Sequence, residues 1–215
     1  MQDTRGRSIL SLLVEYRSVV GQLFQSKAIL GALSLMVITS ITNTVNTNFW
    51  SVLFTKKLGF ADSQISIYTA LTSVIMTIGF FLLGPRLTNL RRYRLPLWLG
   101  FAGSFFSQAL LVFMPPQSVL LMIASVVLSG IAGALLSPMI ESLLAVSLET
   151  GERARISAMV YVTLIIIISP FGWIAGQLSA IDRALPFALN MILSLMGAGL
   201  VWLIGSKKVI PSQTG

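Results

Sequence analysis

Five stretches of this 215-residue chain contain no Asp, Glu, Lys or Arg: Ala28 to Thr55, Gln64 to Pro85, Leu95 to Ile140, Ile156 to Ile181 and Ala184 to Ser206. A helix rises ~1.5 Å per residue, so about 20 apolar residues cover the ~30 Å hydrocarbon core of a bilayer. Four of the runs fit one crossing each. Leu95 to Ile140 is too long for one and is broken at Pro115-Pro116-Gln117-Ser118, a turn signal, so it crosses twice. The expectation is an all-α membrane protein of six transmembrane helices, at about 28–54, 64–84, 95–114, 118–146, 156–178 and 185–205.

Two other folds are set aside by pattern. Outer-membrane strands run about 10 residues with alternating polarity, and Val162-Thr163-Leu164-Ile165-Ile166-Ile167-Ile168 does not alternate. A soluble domain carries roughly 25% charged residues; here 10% are charged and 55% hydrophobic, too little polar surface to dissolve six such helices. Membrane lipid is therefore the expected surrounding, and a multi-pass integral protein of the plasma membrane the expected location.

The net charge of +8 reads as topology rather than nucleic-acid binding. One set of loops and ends holds Arg5, Arg7, Arg17, Lys27, Arg86, Arg91, Arg92, Arg94, Arg153, Arg155, Lys207 and Lys208; the other holds Lys56, Lys57 and Arg183. Basic residues accumulate in short cytoplasmic loops, which puts both termini in the cytoplasm. Trp50 and Tyr68 then fall at the outer interface, and Tyr93, Trp98, Tyr161 and Trp202 near the inner one, as amphipathic rings prefer. Residues 1–27 place Ile9, Leu12, Leu13, Tyr16, Val20, Leu23 and Phe24 at helical spacing, with Glu15, Arg17 and Gln22 on other faces. That is an amphipathic helix on the cytoplasmic surface, not a cleaved leader. Residues 207–215 form a cytoplasmic tail.

Cys and His are both absent. Thiol chemistry, imidazole general-base work and the usual zinc sites go with them. No catalytic pair, metal site or cofactor is expected.

Polar residues inside the spans are the candidate functional groups. The first span ends in Thr39-Ser40-Ile41-Thr42-Asn43-Thr44-Val45-Asn46-Thr47-Asn48-Phe49-Trp50. Three Asn within six residues are costly in lipid unless they find partners or water. Thr39, Asn43, Asn46 or Thr47, and Trp50 share one helical face. They read either as the polar wall of a solute cavity or as interhelical hydrogen bonding close to the interface. Glu141 is the single acidic residue within a span and follows Pro138 near the inner end of the fourth. Three roles stand for it: an ion pair or gate with the basic loop Arg86 to Arg94, a proton-coupling carboxylate, or a plain interfacial group. Gly172 and Gly176 have the spacing that lets helices approach closely, as do Gly130 with Gly133 and Gly100 with Gly103. Pro138 and Pro170 remove backbone donors and mark kinks. Trp173 reads as a pathway or a packing aromatic, and Gln108 and Asn190 as single buried polar groups that glue helices together.

The pattern resembles the C-terminal six-helix half of the major facilitator superfamily over essentially the whole chain. Gly84-Pro85-Arg86-Leu87-Thr88-Asn89-Leu90-Arg91-Arg92-Tyr93 is similar to the degenerate second copy of the family's loop signature. Gly84 and Arg92 match, Thr88 stands for the expected Asp, and Arg91 for the second Gly. Ser137-Pro138-Met139-Ile140-Glu141 with Glu149-Thr150-Gly151-Glu152-Arg153-Ala154-Arg155 looks like the tenth helix and its following loop. Ser169-Pro170-Phe171-Gly172 with Gly176 looks like the eleventh. The resemblance implies secondary active transport of a small solute by alternating access. Asn43, Asn46 and Trp50 would face the central cavity, and Arg86, Arg91 and Arg92 would belong to the cytoplasmic gate. It also implies a second six-helix half, either a missing N-terminal half of a 12-helix parent or a partner chain. The rival expectation is a non-transporting membrane subunit or an inactive truncated half.

Overall fold

The computed structural model describes residues 27–87, 93–147 and 153–205; within them lie six α-helices and no strand. These are α1 (Lys27–Lys56), α2 (Asp62–Leu87), α3 (Arg94–Phe113), α4 (Val119–Ser147), α5 (Arg153–Ile181) and α6 (Leu185–Gly205). Every boundary but one falls within three residues of an end or break of the uncharged runs; α4 continues through Glu141 to Ser147, seven residues past Ile140. The amphipathic lead-in, the tail, and Arg91 and Arg92 lie outside the described residues.

Five of the six, α2 to α6, are long and apolar enough to cross a membrane. α1 has the length, at 30 residues, and opens on the apolar run Ala28 to Ile38. Its stretch Thr39 to Asn48 carries three Asn and four Thr, which lowers its hydropathy. Its placement explains how such a helix is tolerated: α1 packs against α4, α5 and α6 together. Large apolar side chains stand exposed on each of α2 to α6. Ile67, Val74, Ile78 and Phe81 stand exposed at helical spacing along α2, and Val162, Ile165, Ile166 and Trp173 along α5. Apolar side chains on the outside are what a bundle dissolved in hydrocarbon presents.

Three turns gather at one end of the bundle, here the loop end. α1 stops at Gly59, whose φ of 71° is open to glycine without strain,; the Phe60 N–H then reaches back to the Phe54 carbonyl at 3.1 Å. α2 opens with Gln64 Oε1 accepting from the Ala61 N–H at 3.0 Å, a side chain capping its own helix,. The residue before Pro115, Met114, is extended (ψ 130°), as a pre-proline position must be, and ends α3,. Gln117 then adopts φ 57° and its N–H donates to the Leu58 carbonyl at 2.9 Å, docking the α3–α4 turn on the α1–α2 turn. The α5–α6 turn is tied to the same place by Lys57 Nζ to Asp182 Oδ1 at 2.8 Å. Asp182 Oδ1 also accepts from the Ala184 N–H at 2.7 Å. That backbone donor, with the Lys57 ammonium, holds the Asp182 carboxyl below its ordinary value.

With the three turns together, consecutive helices run in opposite directions. The packing pairs then show an internal relation. α1 packs on α5 and α6 as α4 packs on α2 and α3, while α1 meets α4 and α3 meets α6. Exchanging α1–α3 for α4–α6 interchanges these contacts, and the matched helices run oppositely. The α5–α6 contact, and the slighter α1–α2 contact, lack counterparts of similar extent between α2 and α3 and between α4 and α5.

Two apolar clusters stack along the bundle. The loop-end cluster holds Leu53, Phe54, Phe60, Tyr68, Leu111, Met122 and Phe187. Phe54 stacks on Phe60 at 4.6 Å and tilts against Tyr68 at 5.4 Å. Tyr68 is thus 7% exposed and packed within this cluster at the loop end. The second cluster, toward the opposite end, holds Leu35, Ile41, Leu97, Phe101, Met139 and Leu164.

Close helix approaches fall at particular glycines. A Cβ at Gly130 would lie 2.7 Å from Ile75 Cγ2 and 3.1 Å from the Thr72 carbonyl, and one at Gly79 would lie 2.7 Å from Ala134 Cβ. These two bring α2 onto α4. Gly172 has nothing within 4 Å, and Gly176 makes ordinary contact with Phe49 at 3.9 Å. The i,i+4 spacing of that pair on α5 therefore brings no helix close in this bundle, since it lies on a sparsely covered helix. Helices α4 and α5 run unbroken through Pro138 and Pro170.

Candidate functional site

Between the two apolar clusters the helices turn polar at one depth. α1 contributes Asn43, Asn46 and Thr47, α3 Ser104, Ser107 and Gln108, α4 Ser125 and Ser129, and α6 Asn190 and Ser194. Some of these groups hold helices together. Asn190, fully buried, donates from Nδ2 to Asn46 Oδ1 at 3.1 Å and to the Thr42 carbonyl at 3.4 Å, joining α6 to α1. Ser107 Oγ donates to the Ser125 carbonyl at 2.9 Å while Ser125 Oγ donates to the Ser107 carbonyl at 3.1 Å, a reciprocal clasp of α3 on α4. Ser194 Oγ and Ser104 Oγ lie 3.1 Å apart across α6 and α3.

The rest surround space. A cavity of about 450 Å³ opens within the bundle, lined by α1, α2, α3 and α4. From α1 come Asn43, Asn46, Thr47, Trp50 and Ser51; from α2, Ile65, Thr69, Thr72 and Ser73; from α3, Ser107, Gln108 and Leu111; from α4, Ser125, Val126 and Ser129. A smaller cavity of about 70 Å³ continues from it toward the opposite end. It shares Asn43, Asn46, Gln108 and Ser129 with the first and reaches Thr39, Phe101 and Ser137. All five sequence-derived wall residues, Thr39, Asn43, Asn46, Thr47 and Trp50, thus line one polar track. The helical face they share on α1 is turned toward α2, α3 and α4.

Polar groups on the other three walls escaped the sequence reading. Ser and Thr in a helix bond their own backbone, so each is unremarkable alone. Thr69, Thr72 and Ser73 do so, donating to the carbonyls of Ile65, Tyr68 and Thr69 at 2.8, 2.9 and 3.1 Å. One signal was available: Ser125, Ser129 and Ser137 recur on α4 at four- and eight-residue steps, leading to Glu141. Gln108, expected as glue, is 2% exposed, lines both cavities, and its Oε1 has no hydrogen-bond partner.

The gate set is only partly described. Glu141 is exposed on α4, one turn beyond Ser137, and pairs with no described residue. Arg86 sits in the last turn of α2, where the side chains are outside the described set, as are Arg91 and Arg92. Trp173 is 70% exposed on α5, away from the cavity. Among the described residues no group of His, Cys, Asp or Glu could hold a metal ion.

No protein-family model, no curated protein and no solved structure matches the chain.

Proposed function

We propose that the chain carries a small solute across the membrane by alternating access, as one six-helix half of a major facilitator type secondary transporter. The observation that carries this reading is the polar cavity. Four helices of an otherwise apolar bundle turn hydroxyl and amide groups toward one space of about 450 Å³, within the ~300–1,000 Å³ of small-molecule sites. Polar side chains at membrane depth are costly unless they meet partners or water. Asn43 has room here and no pairing that would make it mere helix glue.

The exchange relation between α1–α3 and α4–α6 supports the same reading. Inverted three-helix repeats nested in a six-helix half, with the solute near mid-depth, are the organisation found in major facilitator transporters. On this reading α1 is the sixth crossing. Both termini lie in the cytoplasm, the protein sits in the plasma membrane, and the cavity's open side faces a second six-helix half. Glu141 with Arg86, Arg91 and Arg92 closes the cytoplasmic side. The Asn46–Asn190 bond at 3.1 Å favours a second reading for that one residue, interhelical packing, which a non-transporting subunit would share.

The test uses the absence of cysteine. Asn43→Cys, in vesicles of either orientation, is expected to react with a membrane-impermeant thiol reagent from both faces. Labelling confined to one face would rule out alternating access.

A further inference from the structure

We infer that this wall of the cavity is built for an uncharged solute that donates several hydrogen bonds, of the sugar or polyol class. The inference rests on the transport reading and specifies its substrate.

Charge is the first observation. None of the residues lining either cavity is Asp, Glu, Lys or Arg. A charged solute in a low-dielectric site costs several kcal/mol unless an opposite charge or a full set of hydrogen bonds meets it. The described ion pair, Lys57 with Asp182, is spent on the turns at the loop end, and Glu141 lies beyond the smaller cavity.

The second observation is the direction of the free hydrogen-bonding capacity. A hydroxyl has one donor and two acceptor lone pairs. Thr69, Thr72 and Ser73 have already given their protons to backbone carbonyls, so they offer the cavity lone pairs only. Gln108 Oε1 is buried away from the cavity and offers a solute nothing directly. The α2 wall is therefore short of donors and rich in acceptors. An anion, which accepts and does not donate, is mismatched there twice over. A solute bearing hydroxyl groups supplies the missing protons.

The third observation is the apolar floor. Trp50 lines the cavity beside Ile65, Leu111 and Val126. A sugar ring presents C–H groups on its faces and hydroxyls around its rim, and so matches an aromatic floor ringed by acceptors.

The experiment is equilibrium dialysis of the purified full chain against three probes of similar skeleton: D-glucose, gluconate and glucosamine. Glucose is expected to bind at least about tenfold tighter than either charged analogue, a difference of ~1.4 kcal/mol. Thr72→Val, which removes a lone pair and keeps the shape, is expected to weaken glucose roughly three- to tenfold. Gln108→Glu puts a carboxylate on a residue that lines both cavities, and is expected to reverse the order in favour of glucosamine. Gluconate or glucosamine bound as tightly as glucose by the unsubstituted chain overturns the inference, as does binding of none of the three. An unchanged order in a folded Gln108→Glu variant overturns it too. The outcome is separable from that of the thiol experiment. Two-sided labelling with a charged probe preferred removes the solute class alone; one-sided labelling with glucose bound removes alternating access alone.

Discussion

Leucine in place of Gly130 is expected to detach α2 from the bundle, and leucine in place of Gly199 to do almost nothing. α2 packs chiefly on α4, with only slight contact to α1. That contact depends on missing side chains. At Gly130 an added Cβ meets a branched carbon of Ile75 at 2.7 Å and the Thr72 carbonyl at 3.1 Å. The carbonyl belongs to a helix backbone and cannot rotate aside. Water offers no compensation, because between helices in lipid the attraction is mostly close packing rather than hydrophobic burial. Overpacking costs about 1–3 kcal/mol where neighbours can adjust, and occasionally more; a leucine here belongs at the upper end. Gly199 has nothing within 4 Å, so its leucine finds open space. The check is monodispersity in detergent and the midpoint of unfolding for both variants. Equal midpoints would mean that α2 and α4 do not meet at Gly130.

The second large effect separates two asparagines three residues apart. Asn46 accepts from Asn190, which is fully buried. Asn43 is exposed to the cavity and makes no hydrogen bond to the protein. Asn46→Leu is therefore expected to lower stability by about 0.6 kcal/mol, the mean for an interhelical bond in a membrane, with ~1.7 as the ceiling. Adding Asn190→Leu should recover part of that loss, because the stranded buried amide goes with it. Asn43→Leu should leave stability within about 0.5 kcal/mol, as for a surface site, and weaken glucose binding at least threefold. Comparable destabilisation by both single variants, with solute binding untouched, would make the α1 polar face a packing device throughout.

Much of this architecture was legible in the residues. The uncharged runs gave the helices because lipid tolerates neither free charge nor open backbone, and Pro115-Pro116 divided the one run that was too long. The α1 wall was legible because three Asn in six residues are too costly to be incidental. The opposite walls were not. A threonine on α2 satisfies itself within its helix, and the α4 serines show only their four- and eight-residue steps, so little in the sequence separates Ser129 or Thr72 from other helical hydroxyls. Only their convergence on one space does so. Gln108 was read as glue because a lone buried amide usually has a partner; its partnerless carbonyl is a three-dimensional fact. The glycines divide. Spacing drew attention to Gly100, Gly130 and Gly133, which sit close against neighbouring helices, and to Gly172 and Gly176, which have space around them, while Gly79 approaches α4 with no partner glycine to flag it.

Spin labelling of the cysteine-free chain separates a polar cavity inside the bundle from outer faces that meet lipid. Single cysteines at Thr47 and Ser129, and at Phe81 and Ile166, are labelled in bilayers. Their collision rates are then measured with a water-soluble nickel chelate and with dissolved oxygen. The account predicts chelate collisions at Thr47 and Ser129, and oxygen without chelate at Phe81 and Ile166. Oxygen-dominated relaxation at all four, or chelate access at all four, would contradict it.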